Sequence, residues 1–245
     1  MDKTIYRREF KVLSPDSSQD KLLKPSCAMK YFQEMSDCHS REVGNGEEEL
    51  RERNMALISV RTSLTFHRTP RWQETFLCET WHREMKGTKW VRDCVMKSMD
   101  GELLVESTTG WVLMDLTERR VLRPTKVPGL TILTAPELAL PSARMDRMQI
   151  PEDLPVVGHY DVHYTDIDYF GHLNNCVYAD FILDFLPTPI NGREVTKLDI
   201  SFIDEAHQGD TLELRAAEID GVTYFEGCHE RGRCFQAIVE SRPIR

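Results

Sequence analysis

The sequence predicts an α+β fold in which one unit, a long helix packed on an antiparallel sheet, occurs twice in tandem. Three observations carry this. A helical stripe is followed by several long strand-like runs. The same order of patterns restarts in the second half of the 245 residues. Between them, six of the twelve prolines (124, 128, 136, 141, 151 and 155) crowd together, which argues a linker rather than sheet interior. The expected division is a first unit over 1–126, a Pro-rich linker over 127–155 and a second unit over 156–245.

Residues 5–13 read as a strand with Phe10 and Val12 on one face. Ser14 to Lys24 is polar and reads as a loop. Pro25 then opens a helix, because its missing N–H is no loss in the first turn. Ala28, Tyr31, Phe32 and Met35 give that helix its apolar stripe. Gly44-Asn45-Gly46 ends it, and Glu47 to Arg53 reads as a short acidic helix. Ala56 to Phe66, Thr75 to Arg83, Lys89 to Ser98 and Leu103 to Leu116 read as strands. Asp100-Gly101 marks a hairpin turn between the last two.

Displaced by 150 positions, Phe10 falls on Tyr160, Val12 on Val162 and Asp16 on Asp166. The stripe Ala28, Tyr31, Phe32, Met35 falls on Tyr178, Phe181, Ile182, Phe185, with Pro187 as the stop. Displaced by 136, Phe66 falls on Phe202 and Glu74-Thr75 on Asp210-Thr211. Each unit alone is small for a core, so the two are expected to pair through their sheets.

Composition narrows the function classes. With 40% hydrophobic and 29% charged residues the chain reads as globular, and a net charge of −9 disfavours nonspecific nucleic-acid binding. No apolar run reaches the ~20 residues of a membrane span. Met1 to Glu9 lacks a signal-peptide core, so a cytoplasmic location is expected. The seven cysteines are odd in number and form no C-x-x-C pair, which suggests neither disulfides nor zinc. Nucleotide fingerprints, phosphate loops and G-x-S-x-G are lacking, so no cofactor is expected.

Asp166 to Asn175 holds two carboxylates, a Gly, a His and two Asn just before the second helix. Unpaired N–H groups and the helix dipole favour developing negative charge there. Asp168 can serve as general base or nucleophile, or bond its own loop. His172 can orient a carboxylate, bind a carbonyl, move a proton, or simply face solvent. Asn174 is the expected N-cap and can orient a neighbour as well. Glu205 and His207 follow a strand-like run, as a second site element or as solvated groups before a turn. In the first unit Ser18, Asp20, Leu22, Lys24 and Pro25 take the places of Asp168, Phe170, His172, Asn174 and Asn175, so one site per chain is expected.

The run Asp168-Tyr-Phe-Gly-His-Leu-Asn-Asn175 resembles the Asp-x-x-Gly-His-Val-Asn-Asn signature of hotdog-fold thioesterases. Leu23-Lys-Pro-Ser, Leu50-Arg-Glu-Arg-Asn54, Pro70-Arg-Trp72 and Gly110-Trp-Val-Leu-Met-Asp-Leu-Thr-Glu-Arg-Arg120 extend the resemblance to the acyl-acyl carrier protein thioesterases over nearly the whole chain. The resemblance implies a tandem double hotdog that releases fatty acid from acyl carrier protein, with an acyl-coenzyme A thioesterase or a non-hydrolytic acyl-binding protein as rivals. It implies catalysis in the second unit by Asp168, His172 and Glu205, with Asn174 assisting, and an acyl pocket shaped by the first. Plant members carry Asn where this chain has Phe170, and the cysteine of some members falls on Ala206. Acidic carrier protein would need a basic docking patch: Arg119, Arg120, Arg123 and Lys126 are one candidate, Arg144 with Arg147 another. A homodimer through the sheets is the further partner considered.

Overall fold

The computed structural model describes residues 3–140 and 145–244. The first unit contains β1 (Ile5–Lys11), α1 (Pro25–Glu42), α2 (Glu47–Glu52), β2 (Met55–Phe66), β3 (Thr75–Lys86), β4 (Lys89–Ser98), β5 (Leu103–Asp115) and β6 (Arg120–Leu122). The second contains β7 (Val156–Asp161), α3 (Asn175–Asp184), β8 (Arg193–Phe202), β9 (Thr211–Ile219), β10 (Val222–His229) and β11 (Gly232–Pro243). The strands form one antiparallel sheet in the order β1-β3-β4-β5-β2-β8-β11-β10-β9-β7, with β6 beside β5. The halves join where β2 pairs β8, and Leu64 faces Leu198 at that seam.

Local chemistry explains the elements. Pro25 sits in the first turn of α1, whose Ala28, Phe32 and Met35 are buried against the sheet. Tyr178, Phe181 and Ile182 do the same for α3. The residues of both units belong to one core cluster. Each large side chain buried there stabilises the fold by roughly 1.5–3 kcal/mol relative to exposure.

The duplication is written in the hydrogen bonds. Val12 N–H donates to Glu74 C=O at 2.9 Å, and Val162 N–H to Asp210 C=O at 2.9 Å. Lys24 N–H donates to Asp16 C=O at 2.9 Å, and Asn174 N–H to Asp166 C=O at 2.9 Å. Leu23 N–H reaches Pro70 C=O, and Leu173 N–H reaches Ala206 C=O, both at 2.8 Å. Both displacements, 150 and 136, therefore describe equivalent positions in space.

The cores differ. In the second unit the Phe235 ring packs on Tyr178 and Phe181 at centroid distances of 5.0 and 5.6 Å. That ring occupies the space that any Cβ at Gly227 would need. The sheet–helix space of the second unit is thus filled by aromatics, whereas the first keeps a cleft.

Some expectations need adjusting. Ser14 to Asp16 forms a 3-10 turn inside the expected loop, and β3 runs on to Lys86 past a bulge between His82 and Glu84. Residues between Leu122 and Val156 contain no strand among those described, but they pack on the first unit. Ala135 N–H donates to His82 C=O at 2.9 Å, and the Asn45 carboxamide bonds Thr131 in both directions. Arg144 lies outside the described residues.

Candidate active site

The loop before α3 is a closed structure made by its own polar groups. Asp168 N–H donates to His172 C=O at 2.9 Å, and Gly171 N–H returns to Asp168 C=O at 3.0 Å. That turn puts Gly171 at φ +84°, a conformation costly for a side chain with a Cβ. Asp168 Oδ1 accepts the N–H groups of Phe170 at 2.9 Å and His172 at 3.4 Å. Its Oδ2 has no hydrogen-bond partner among the described residues. Asp166 braces the loop from below, accepting His163 N–H at 2.8 Å and the Tyr160 hydroxyl at 2.9 Å.

The Leu173–Ala206 bond draws this loop onto the segment after β8. That contact brings His172 Nε2 to 3.5 Å from Glu205 Oε2. Arg119 Nη2 holds the same Glu205 oxygen at 3.2 Å. The His207 ring stands edge-on to His172, with centroids 5.1 Å apart. Arg231 ties the segment down, reaching Asp210 Oδ2 at 2.6 Å and Glu205 C=O at 3.1 Å. The hydrogen bond from Arg231 pulls Asp210 down to about 2.

Asn174 caps α3: its side-chain oxygen accepts Cys176 N–H at 2.8 Å. Asn175, rather than Asn174, lines the cleft beside Asp168 and His172. The Asn175 N–H, at the first helical position, has no backbone acceptor among the described residues. The Gly171 N–H that would suit an oxyanion is occupied within its own loop. Cys176 is buried, and burial pushes its thiol up to about 12, so it is protonated at neutral pH.

Arg119, Asp168, His172, Asn175, Cys176 and Glu205 line a cleft of about 940 Å³. Its walls come mainly from the first unit, including Met29, Phe32, Leu57, Ile58 and Val112 from α1, β2 and β5. Phe170 also lines the cleft and is partly exposed, with the Arg51 guanidinium 5.7 Å from its ring centroid. His172, Glu205 and His207 offer ligand atoms within 4.8 Å of one another, the set that could hold a divalent cation.

Sequence reasoning placed Asp168, His172 and Glu205 in one neighbourhood, and the fold brings them there. It missed Arg119 as a partner of Glu205, assigning it to a docking patch, gave Asn175 no role in the site, and left His207 open between a site element and a solvated group. A signal existed for His207. The displacement of 136 puts Thr69 and Arg71 opposite Glu205 and His207, as Leu22 is opposite His172. The first unit therefore keeps the frame and lacks the whole trio.

A family model for the acyl-ACP thioesterase N-terminal domain matches residues 3–127, and one for the acyl-ACP thioesterase C-terminal domain matches residues 152–234. The chain belongs to the acyl-ACP thioesterase family. A chloroplastic palmitoyl-acyl carrier protein thioesterase of Gossypium hirsutum is 24% identical over 235 residues, covering 91% of this chain and 57% of its own length. Chloroplastic oleoyl-acyl carrier protein thioesterase 1 of Arabidopsis thaliana is 22% identical over 241 residues, covering 90% of this chain and 66% of its own length. The chain thus spans between about half and two thirds of these relatives' length. An acyl-ACP thioesterase crystal structure from Bacteroides thetaiotaomicron superposes with a TM-score of 0.89 at 19% identity, covering 99% of this chain and 100% of that one. The 12:0-ACP thioesterase from Umbellularia californica superposes with a TM-score of 0.83 at 19% identity, covering 100% and 99%. The fold of this family member is the tandem double hotdog.

Proposed function

We propose that the chain hydrolyses the thioester of a fatty acyl group on acyl carrier protein, releasing free fatty acid and carrier-protein thiol. The observation that carries this is the His172–Glu205 contact of 3.5 Å in the lining of a cleft that also presents the apolar Met29, Phe32, Leu57, Ile58 and Val112. Asp168 Oδ2 takes the proton of the attacking water while Oδ1 stays locked to the loop. His172, braced by Glu205 and by the Arg119 cation behind it, positions the water, and the proton held on Asp168 Oδ2 then passes to the leaving thiolate. The Asn175 N–H at the start of α3 faces the developing oxyanion, where the helix dipole favours negative charge.

Charge supports a carrier-protein partner. Arg119 and Val121 line the cleft, and Arg120, Arg123 and Lys126 are exposed beside them in the chain. This basic segment beside the cleft is the candidate docking surface for an acidic protein, set against an otherwise largely acidic lining that includes Glu47, Glu48 and Glu49 of α2. Arg147 of the other candidate pair is exposed too. No described helix is long and apolar enough to cross a membrane. A cytoplasmic setting stays part of this reading, and cell fractionation tests it.

The deciding experiment compares hydrolysis of matched acyl groups on acyl carrier protein and on coenzyme A. Faster turnover of the carrier-protein series is expected. Equal or faster turnover of the coenzyme A series would assign the chain to the other thiol, and acyl binding without thiol release would remove the hydrolase reading.

A further inference from the structure

One side chain at the site is used by neither the fold nor the reaction. His207 lies between β8 and β9, and its backbone does the structural work there: its N–H donates to Asp210 Oδ2 at 2.8 Å. The equivalent position of the first unit is Arg71, whose N–H donates to Glu74 Oε2 at 2.9 Å. The turn therefore asks for an N–H and a carboxylate, and the side chain at this position is free to vary. The His207 imidazole has no hydrogen bond among the described residues, and the water, proton and oxyanion steps assigned above leave it out.

That ring stands perpendicular to His172, with centroids 5.1 Å apart, and His172 Nε2 is 3.5 Å from Glu205 Oε2. The three residues offer ligand atoms within 4.8 Å of one another. Two donors on a tetrahedral zinc ion stand roughly 3.4 Å apart, given metal–ligand distances of about 2.0–2.1 Å. The His172–Glu205 pair is already close to that spacing. The His207 side chain is 49% exposed, so a small rotation brings its nitrogen in. Two imidazoles with one carboxylate suit zinc and its transition-metal neighbours, whereas magnesium and calcium take oxygen ligands. Three protein ligands leave the fourth position to water.

The surrounding charges favour a cation on balance. Asp168 and Asp204 line the cleft with Glu205, and Asp210 Oδ2 lies 3.9 Å from His207 Nδ1. A carboxylate beside one ring nitrogen is the usual companion of a ligating histidine, favouring the proton there and leaving the other nitrogen's lone pair for the metal. Against these stand Arg231, already paired with Asp210, and Arg119, which holds Glu205 Oε2 from a 74% exposed position and can turn to water. The frame itself needs none of the trio. The first unit keeps the same backbone bonds with Leu22, Thr69 and Arg71 in these places.

We propose that His172, Glu205 and His207 form a binding site for zinc or a similar transition-metal ion, and that the bound ion switches hydrolysis off. The ion takes His172 Nε2 and the Glu205 carboxylate for itself, so the attacking water is no longer positioned. The inhibitory half rests on the hydrolase reading; the binding half does not.

The test uses the full chain, freed of metal with a chelator. Calorimetry with zinc chloride is expected to show one site per chain, weakened about tenfold or more in His207→Gln and unchanged in the matched first-unit variant Arg71→Gln. Steady-state assays are expected to show zinc inhibition that a chelator reverses. His207→Gln should raise the half-inhibiting concentration by the same factor while its metal-free kcat stays within a few fold of wild type. No one-to-one binding, or equal binding by His207→Gln and wild type, overturns the proposal. Zinc that binds without inhibiting, or that stimulates turnover, overturns it as well. A metal-free loss of kcat in His207→Gln with zinc affinity unchanged gives the ring to catalysis and also overturns it. If no thioester is cleaved at all, the hydrolase reading has failed separately, and calorimetry on wild type and the two variants decides the metal site alone.

Discussion

Ser18 and Asp168 do the same backbone work in the two units. Ser18 Oγ accepts the N–H groups of Asp20 and Leu22 at 3.3 and 3.4 Å; Asp168 Oδ1 accepts those of Phe170 and His172 at 2.9 and 3.4 Å. A hydroxyl is enough to close this loop. The second carboxylate oxygen of Asp168 has no counterpart in the first unit. Asp168→Asn keeps an acceptor for the loop and is expected to change stability by less than about 1 kcal/mol while lowering kcat about 100-fold or more. Ser18→Ala is expected to cost about 1 kcal/mol of stability with kcat retained. Denaturant unfolding beside steady-state kinetics separates the two effects.

Isotope labelling separates two uses of Asp168. Proton abstraction from water leaves the carboxylate unlabelled after one turnover in ¹⁸O water, and the released acid carries the label. Direct attack by Asp168 would form an anhydride whose hydrolysis can place ¹⁸O in the side chain. Mass spectrometry of the peptide containing Asp168 is expected to find no label.

The Cys176 thiol is expected to be dispensable. It is 1% exposed, and burial pushes it up to about 12. Cys176→Ala should keep kcat within a few fold and lower the unfolding midpoint modestly, since a small buried group is lost. A loss of 100-fold or more without unfolding would return a thiol nucleophile to consideration.

Two aspartates give pH signatures of opposite sign. Burial raises Asp37 from 3.8 to about 6, so its neutral form is favoured in the fold. Its contribution is present below pH 3.8 and is lost as pH rises through about 6. Asp37→Asn should therefore raise Tm at pH 7 and leave it nearly unchanged at pH 3.5. Arg231 lowers Asp210 from 3.8 to about 2, so that contribution is present above pH 3.8 and is lost as pH falls towards 2. Arg231→Gln should flatten the acid side of the stability curve, which thermal melts across pH would record.

Charge reversal at Arg120 and Arg123 should raise KM for a carrier-protein thioester several-fold. The same acyl group on coenzyme A should be little affected, because the change acts on the partner surface and not on the cleft.

The fold was legible because its signals are local and repeated. The stripe Ala28, Tyr31, Phe32, Met35 and its counterpart Tyr178, Phe181, Ile182, Phe185 announce two helices, and Pro25 and Asn174 mark their starts. The equivalence even exchanges a hydroxyl. Tyr31 on α1 bonds Asp16 at 2.6 Å, whereas in the second unit the hydroxyl belongs to Tyr160 on the strand and bonds Asp166 at 2.9 Å. The site was only half legible. Asp168, His172 and Asn174 sit within one loop, but Arg119 meets Glu205 from 86 residues away, across the join between the two units. No spacing along the chain encodes that contact. Nor did alternation along β4 reveal that Arg92 would be buried among histidines, because a strand pattern gives the face and not what covers it.

The β2–β8 seam relates two halves of one chain by a near two-fold arrangement. Were the halves identical subunits, every substitution would fall on both at once. An inner wall bearing Arg92 would then appear twice, and neither half could be filled by aromatics. Joined in one polypeptide, the halves are released from that constraint. One can be packed solid around Phe225 and Phe235 while the other stays hollow and polar. Asymmetry of this kind is open to a duplicated chain and closed to a self-pairing one.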